Sequence, residues 1–589
     1  MTEPLTVWAP AARTVEISLP TGPDDDAAER RPLEAREDGW WATPEPLAPG
    51  TDYLLHLDGG PGLPDPRSAW QPHGVHGPSR VFDPAAHEWQ DEHWKGRSSL
   101  GAVVYELHVG TFTPEGTLDA AIARLDHLVA LGVDMVELMP VAAFPGEHGW
   151  GYDGVALYAV HHPYGGPEAL QRFVEAAHSR GLAVCLDVVY NHLGPSGNYL
   201  GPFGPYFTDR HETPWGSAVN LDGPDSGPVR QFIVENALRW LRDFRLDALR
   251  LDAVHALIDD SPQHVLAELS DAVADLEREV GRPLSLIAES DLNDARMVAP
   301  TADGGLGMTA QWDDDVHHAL HARLTGEQHG YYVSFGTTET LRTALAETFV
   351  HAGTYSEFRD TVWGAPVPAE VDTRRFVVFS QNHDQVGNRA IGDRPSRALS
   401  DGQLAVSAAI TILGPYTPML FMGEEWGATT PFQYFTDHAE PELAEAIRKG
   451  RREEFASHGW EEVYGGDVEV PDPQSPATVE ASRLDWSEPG QERHARLLAF
   501  YCDLIALRHA EPDIASGVRV DTGVTTCADG SWIGMYRGSI AIIANLEAEP
   551  REVRVRGDVR EVILSWTGEA AADGDVLTLP GHDVVVLRV

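Results

Sequence analysis

The chain has 589 residues, 42% of them hydrophobic, which exceeds one ordinary core and points to a few soluble globular domains. Its 91 acidic against 43 basic residues give a formal charge of −48. That field repels phosphate backbones and anionic lipid, so no nucleic acid or membrane is expected as a partner and a neutral substrate fits best. Only Cys185, Cys502 and Cys527 occur, with no CxxC pair and no apolar run of membrane-spanning length; this argues against disulfides, zinc and a membrane span, and for the reducing cytoplasm.

The opening MTEPLTVWAP has no basic segment followed by an apolar one, so no secretory signal is expected. TVEISL (14–19) and DYLLHL (52–57) alternate like strands between Pro and Gly turns, and residues 1–95 read as an N-terminal β-sandwich. From Ala102 the rhythm changes to apolar strands separated by amphipathic helices. AVVYELHV (102–109) precedes a helical period over 117–132, in which Leu118, Ile122, Leu125 and Leu128 recur. MVELMPV, AVCLDVVY, ALRLDAV, SLIAES, MTAQWD, FVVFSQNHD and MLFMGEEW continue the alternation, giving eight strands in all. Such repeats predict an α/β fold, a closed (β/α)8 TIM barrel over 96–510, in preference to an open doubly wound sheet. The Gly-, Pro- and aromatic-rich stretch 191–225 is too long for a plain loop and predicts a small inserted subdomain. After residue 511, SIAIIANLE, EVRVRG and DVVVLRV predict a C-terminal β-sandwich over 511–589.

In such a barrel, chemistry sits at the C-terminal ends of the strands. Strand three ends with Asp187, Asn191 and His192. Strand four carries Arg250, Asp252 and His255, strand five ends at Glu289, and strand seven ends with Asn382, His383 and Asp384. Gathering carboxylates at one rim costs free energy unless something uses them. Residues two apart on a strand share a face, so Arg250 and Asp252 point together, and the guanidinium holds Asp252 ionised as a nucleophile. A buried ion pair with a purely structural role is the competing reading. Glu289 follows the apolar LSLIA; desolvation and a nearby Asp252 raise its pKa, as suits a general acid. Asp384 is expected to grip sugar hydroxyls, and His192 and His383 to act as neutral hydrogen-bonding partners for them.

The motifs DVVYNH, DALRLDAVH, IAES and QNHD resemble, in order, the four best-known motifs of the α-amylase superfamily of glycoside hydrolases. The resemblance implies Asp252 as nucleophile, Glu289 as acid/base and Asp384 as transition-state stabiliser. It makes Arg250, His192 and His383 substrate-binding residues, and ranks Asp187 lower. VWAPAA is similar to the sandwich preceding the barrel in branching enzymes, isoamylases and trehalohydrolases. FPGEHGWGYDGVALYAVHHPYGGPE (144–168), QNHDQVGNRAIGDR (381–394), LFMGEEWGATTPFQYFTDH (420–438) and QWDDDVHHAL (311–320) are similar to the maltooligosyltrehalose trehalohydrolase family. That family implies hydrolysis of the α-1,4 bond next to a terminal trehalose, with maltooligosyltrehalose and related α-glucans as substrates. Maltooligosyltrehalose synthase is implied as a pathway partner. A branching enzyme of the same superfamily and a non-catalytic glucan-binding protein are the alternatives.

Tyr152, within GWGYDG, is expected to floor the subsite of the reacting sugar, by the matching family motif, with loop packing as the alternative. Phe203, Tyr206, Phe207 and Trp215 are divided evenly between the glucan groove and a local core. Asp313, His317 and His321 have a metal-like spacing, but Asp313–Asp315 fit a helix cap better. Asn191 matches a calcium ligand of many α-amylases, yet no metal and no cofactor are expected. Glu424 and Glu425 either order the mouth, bind distant sugars or form a structural pair.

Overall fold

The computed structural model describes residues 4–22, 28–457, 464 and 468–589. At the N-terminus lie two antiparallel sheets. One orders Thr6–Trp8, Trp40–Ala42 and Glu34–Ala35, and the other pairs Val15–Ser18 with Asp52–Leu57. Val15 and Ile17 on one strand and Tyr53 and Leu55 on the other are buried, the period-2 pattern that the sequence displays.

Eight parallel strands then close in sequence order into a barrel. They are β1 (Val104–Leu107), β2 (Met135–Leu138), β3 (Ala183–Val188), β4 (Ala248–Leu251), β5 (Ser285–Ala288), β6 (Ala310–Trp312), β7 (Phe376–Phe379) and β8 (Thr417–Phe421). Every residue of these strands is buried, because helices cover the outside and side chains fill the inside. The in-register pair Asp187↔Arg250 puts β3 and β4 side by side at the level where the charges begin.

One helix differs from its sequence reading. The period over 117–132 forms two short helices, Leu118–Ile122 and Leu125–Leu131. Tighter i→i+3 bonds from the Ala123 and Arg124 amides close the first helix and re-aim the second. The break keeps Leu118, Ala121, Leu125, Leu128 and Leu131 buried, while the Arg124 guanidinium lies 4.1 Å from the centre of the Trp486 ring. Gly132 ends the second helix in the left-handed region, at φ 96°.

The stretch after β3 carries a short helix, Leu200–Phe203, and a hairpin, Phe207–Thr213 with Gly216–Val219. Phe203 and Tyr206 are buried, and Tyr206 packs edge-on against Trp8 of the N-terminal sheet at 5.4 Å. Phe207 also packs against the core, so three of the four aromatics considered for the groove serve packing. Trp215, at the hairpin tip, is half exposed. At the C-terminus a five-stranded and a three-stranded antiparallel sheet bury Ile543, Val553, Leu577, Val585 and Leu587 between them. No described helix is long and apolar enough to cross a membrane.

Candidate active site

The C-terminal rim of the barrel opens into a cleft of about 720 Å³. Asp252, Glu289 and Asp384 all line it, together with Tyr152, His192, His255 and His383.

Arg250 organises the floor of this cleft. It is fully buried on β4, its Nη1 donating to Asp187 Oδ2 at 2.6 Å and Asp252 Oδ1 at 3.1 Å. Its Nη2 pairs with Glu289 Oε2 at 2.8 Å. The guanidinium centre lies 4.0 Å from the centre of the Trp312 ring. A buried cation is costly unless paired, and here three carboxylates and an aromatic face surround it.

Asp252 stands one residue past the end of β4. Its second oxygen accepts from Asn191 Nδ2 at 2.9 Å, and the same amide also donates to the Asp252 backbone carbonyl at 3.0 Å. Both carboxylate oxygens are therefore fixed, one by a cation and one by an amide. The next residue, Ala253, sits in the left-handed region at φ 38°, ψ 52°, a strained conformation for a residue with a Cβ. That turn aims the Ala253 amide at Glu289 Oε2, 2.7 Å away. Among the described residues nothing hydrogen-bonds Glu289 Oε1, which leaves that oxygen for the cleft. Burial pushes the Glu289 pKa up, opposed by Arg250 and reinforced by Asp252.

Asp384 follows β7, on the short helix His383–Gly387 capped by Asn382. Its side chain is 38% exposed, and its Oδ1 lies 3.5 Å from His383 Nε2. Burial raises its pKa and His383 lowers it.

His383 departs from expectation. Burial alone would hold it neutral, but the Glu106 carboxylate bonds its Nδ1 and its backbone amide, and Asp384 lies close by. The outcome is a pKa of about 9, so the ring is an imidazolium near neutral pH. Its Nε2 donates to the Tyr152 hydroxyl at 2.8 Å, and that hydroxyl donates to Asp187 at 2.6 Å. The Tyr152 and His383 rings stack at 5.1 Å and 20°.

Asp187, ranked below the other substrate-binding residues, lies under the cleft lining. It is buried beneath Tyr152, does not line the cleft, and reaches the site only through Arg250 and Tyr152. Burial lifts its pKa to about 7, with Arg250 opposing and Asp252 adding. His192 lines the cleft, and burial lowers its pKa, opposed by Asp252. Its ring nitrogens lie beside Tyr152 O at 3.0 Å and Asn191 Oδ1, so protein atoms occupy its polar edge and leave a ring face for packing. Trp215 stacks on that face at 4.5 Å and 4° and lines the same cleft.

The residues considered for a metal are engaged elsewhere. Asp313 caps the helix Asp314–Thr325, His317 bonds Ser380 O and Tyr332 OH, and His321 bonds Glu327. The Asn191 amide oxygen, the atom that would ligate a cation, lies against His192 Nδ1. Glu424 accepts from Ser380 and Tyr501, and Glu425 from Tyr105 and His127. Both are buried, and neither lines the cleft.

Glu106 and Ala253 were missed as site residues. Glu106 carried a usable signal, a lone acid inside the apolar strand AVVYELHV, the same anomaly that marks Arg250. Ala253 carried none, since only its backbone conformation matters. Tyr434 and Arg451 also line the cleft without a sequence signal.

A model of the α-amylase catalytic domain matches residues 78–201, and a domain of unknown function (DUF3459) matches 516–586. A malto-oligosyltrehalose trehalohydrolase of Arthrobacter ramosus is 53% identical, over 99% of this chain and 99% of its own. The crystal structure described as an α-amylase of Salmonella typhimurium superposes with a TM-score of 0.88 at 37% identity, covering 100% of this chain and 97% of that one. The 1,4-α-glucan branching enzyme of Bacillus cereus is 28% identical over 59% of this chain and 58% of its own.

Proposed function

The chain belongs to the malto-oligosyltrehalose trehalohydrolase family of glycoside hydrolases, and on that footing we propose how its cleft performs the reaction. The substrate is a maltooligosyltrehalose, cut at the α-1,4 bond next to the terminal trehalose. A branching enzyme is disfavoured by its lower identity and shorter coverage.

Asp252 attacks the anomeric carbon of the glucose on the non-trehalose side. Glu289, protonated through Oε1, gives its proton to the glycosidic oxygen, and trehalose leaves. The covalent glycosyl-enzyme is then opened by water, with Glu289 acting as base, and the maltooligosaccharide departs with its α configuration kept. Asp384 binds ring hydroxyls and favours the distorted, oxocarbenium-like sugar, its negative charge supported by the His383 imidazolium. Arg250 keeps the two reacting carboxyls in one frame, and Tyr152 supplies an aromatic face. His255 reaches the substrate from the exposed edge of the cleft.

The observation that carries this reading is that one buried guanidinium touches both Asp252 and Glu289 at the base of a sugar-sized cleft. Incubation with maltotetraosyltrehalose, followed by proton NMR in the first minutes, tests it. Trehalose and the α-anomer of maltotetraose are expected. Release of glucose from chain ends, or a β-anomer formed first, would overturn the assignment.

We further infer a division into a leading sandwich to about residue 95, a catalytic barrel to about 510, long because such barrels carry insertions, and a closing sandwich. The chain acts in the cytoplasm, downstream of the synthase that creates the trehalose terminus.

A further inference from the structure

The two oxygens of Asp384 are placed differently. Oδ1 accepts from Asn388 Nδ2 at 3.3 Å and lies 3.5 Å from His383 Nε2, whereas no described group hydrogen-bonds Oδ2. Asn388 stands four residues on, at the end of the helix His383–Gly387, and its backbone amide donates to the Asp384 carbonyl at 2.9 Å. Residues at i and i+4 share a helix face, so the two side chains project together, and both line the cleft. Asn388 is half-buried. With Nδ2 committed to Asp384, its Oδ1 has no hydrogen-bond partner among the described residues, yet that oxygen is not sealed from solvent. A side-chain carbonyl left open in a cleft is an acceptor ready for a hydroxyl.

The order of the barrel strands says which part of the substrate this acceptor meets. Among the described residues, the cleft lining draws on the segments after β2, β3, β4, β7 and β8; it takes only Glu289 from the segment after β5 and nothing from that after β6. The helix end at Asn388 leans toward the β8 and β2 side. Arg451 donates to the Gly387 carbonyl there, and a Cβ on Gly387 would overlap the Trp150 ring. Asn388 therefore faces the part of the cleft that extends away from the acid/base. Glu289 protonates the oxygen of the departing trehalose, so this part receives the glucan that stays on Asp252.

We propose that Asn388 is a further substrate-binding residue: its Oδ1 accepts a hydroxyl of the second glucose of the retained glucan, while its Nδ2 turns Asp384 Oδ2 toward the first. The assignment rests on the reaction proposed above. Asp384, His383 and Tyr152 surround the reacting ring, and one helical turn, about 5.4 Å, carries the contact at Asn388 past it. The same side chain thus reads chain length and holds the carboxylate that steadies the transition state.

The test compares kcat/KM for trehalose release from maltosyltrehalose, with two retained glucoses, and from glucosyltrehalose, with one. The parent should prefer maltosyltrehalose. Asn388→Ala should shrink that preference roughly three- to tenfold, the loss of one hydrogen bond, and lower kcat on both substrates as Asp384 loses its donor. Asn388→Asp sets a second carboxylate beside Asp384 and should move the acid limb of the kcat/KM profile up by about one pH unit. A residue that only closes the helix would change neither readout. A parent without the preference, a preference unchanged in Asn388→Ala, or an acid limb unmoved in Asn388→Asp would overturn the assignment. A parent that frees trehalose from neither substrate would overturn the reaction itself, and this assignment with it.

Discussion

Both ends of the barrel bury clusters of charge, and the two clusters are finished differently. At the N-terminal floor, His178 sits between Asp91 and Asp247, at 2.6 and 2.9 Å. Asp247 also takes bonds from Trp94 Nε1, the Val184 amide and Arg282, while Trp94 stacks on the His178 ring at 4.6 Å. Burial opposes the charge on His178, but the two aspartates win and its pKa rises. Nearly every polar atom there has its partner. At the C-terminal rim the same residue types leave capacity unspent: Glu289 keeps one oxygen free, Asp384 is part exposed, and Ala253 holds a strained turn. Saturation marks the structural cluster, and residual capacity facing a cleft marks the one proposed to be catalytic.

The sharpest way to break this contrast is to neutralise one carboxylate at each end. Asp252→Asn should lower kcat by roughly 10⁴-fold or more, since it removes the proposed covalent nucleophile and disables the whole unit, with the thermal midpoint nearly unchanged. Asp247→Ala should do the reverse. Leaving His178 and Arg282 buried without their partner should cost on the order of 3–5 kcal/mol in chemical denaturation, while kcat of the folded fraction holds. If the floor variant lost kcat and kept its stability, the contrast would fail.

A smaller effect is expected from Glu106→Gln, which removes the anion that holds His383 protonated. The folded pKa of His383, about 9, lies above its ordinary value near 6.5. Its contribution to stability is therefore complete below pH 6.5 and lost as pH rises through 9. Between those limits the parent should lose on the order of 1–3 kcal/mol that the variant does not, read as the pH dependence of the denaturation midpoint. The variant's activity should also fall off at a lower pH than the parent's. The smallest effect is at Trp215→Ala, where loss of a stacking face should raise KM several-fold, for about 1 kcal/mol, with kcat little changed.

Much of this was legible in the residues. Arg250, Asp252 and Glu289 betray themselves as charges in otherwise apolar strands, and the eight-fold alternation places them at one rim. The break near Ala123 was hidden because both short helices keep one apolar stripe, so the period runs on across it. The charge on His383 was hidden because Glu106 arrives from a strand 277 residues away. The cover over Asp187 was hidden because a place at a strand end does not say what lies above the side chain, and here Tyr152 does. The role of Ala253 is a backbone dihedral, which no side-chain pattern encodes.

The most direct test of the central claim uses Glu289→Gln with an α-maltotriosyl fluoride. The fluoride leaves without acid help, but the intermediate lacks its base for hydrolysis. Intact-protein mass spectrometry should show one added maltotriosyl unit, and peptide mapping should place it on Asp252. An unlabelled protein that still consumes the fluoride, or a sugar attached to Asp384 instead, would contradict the account.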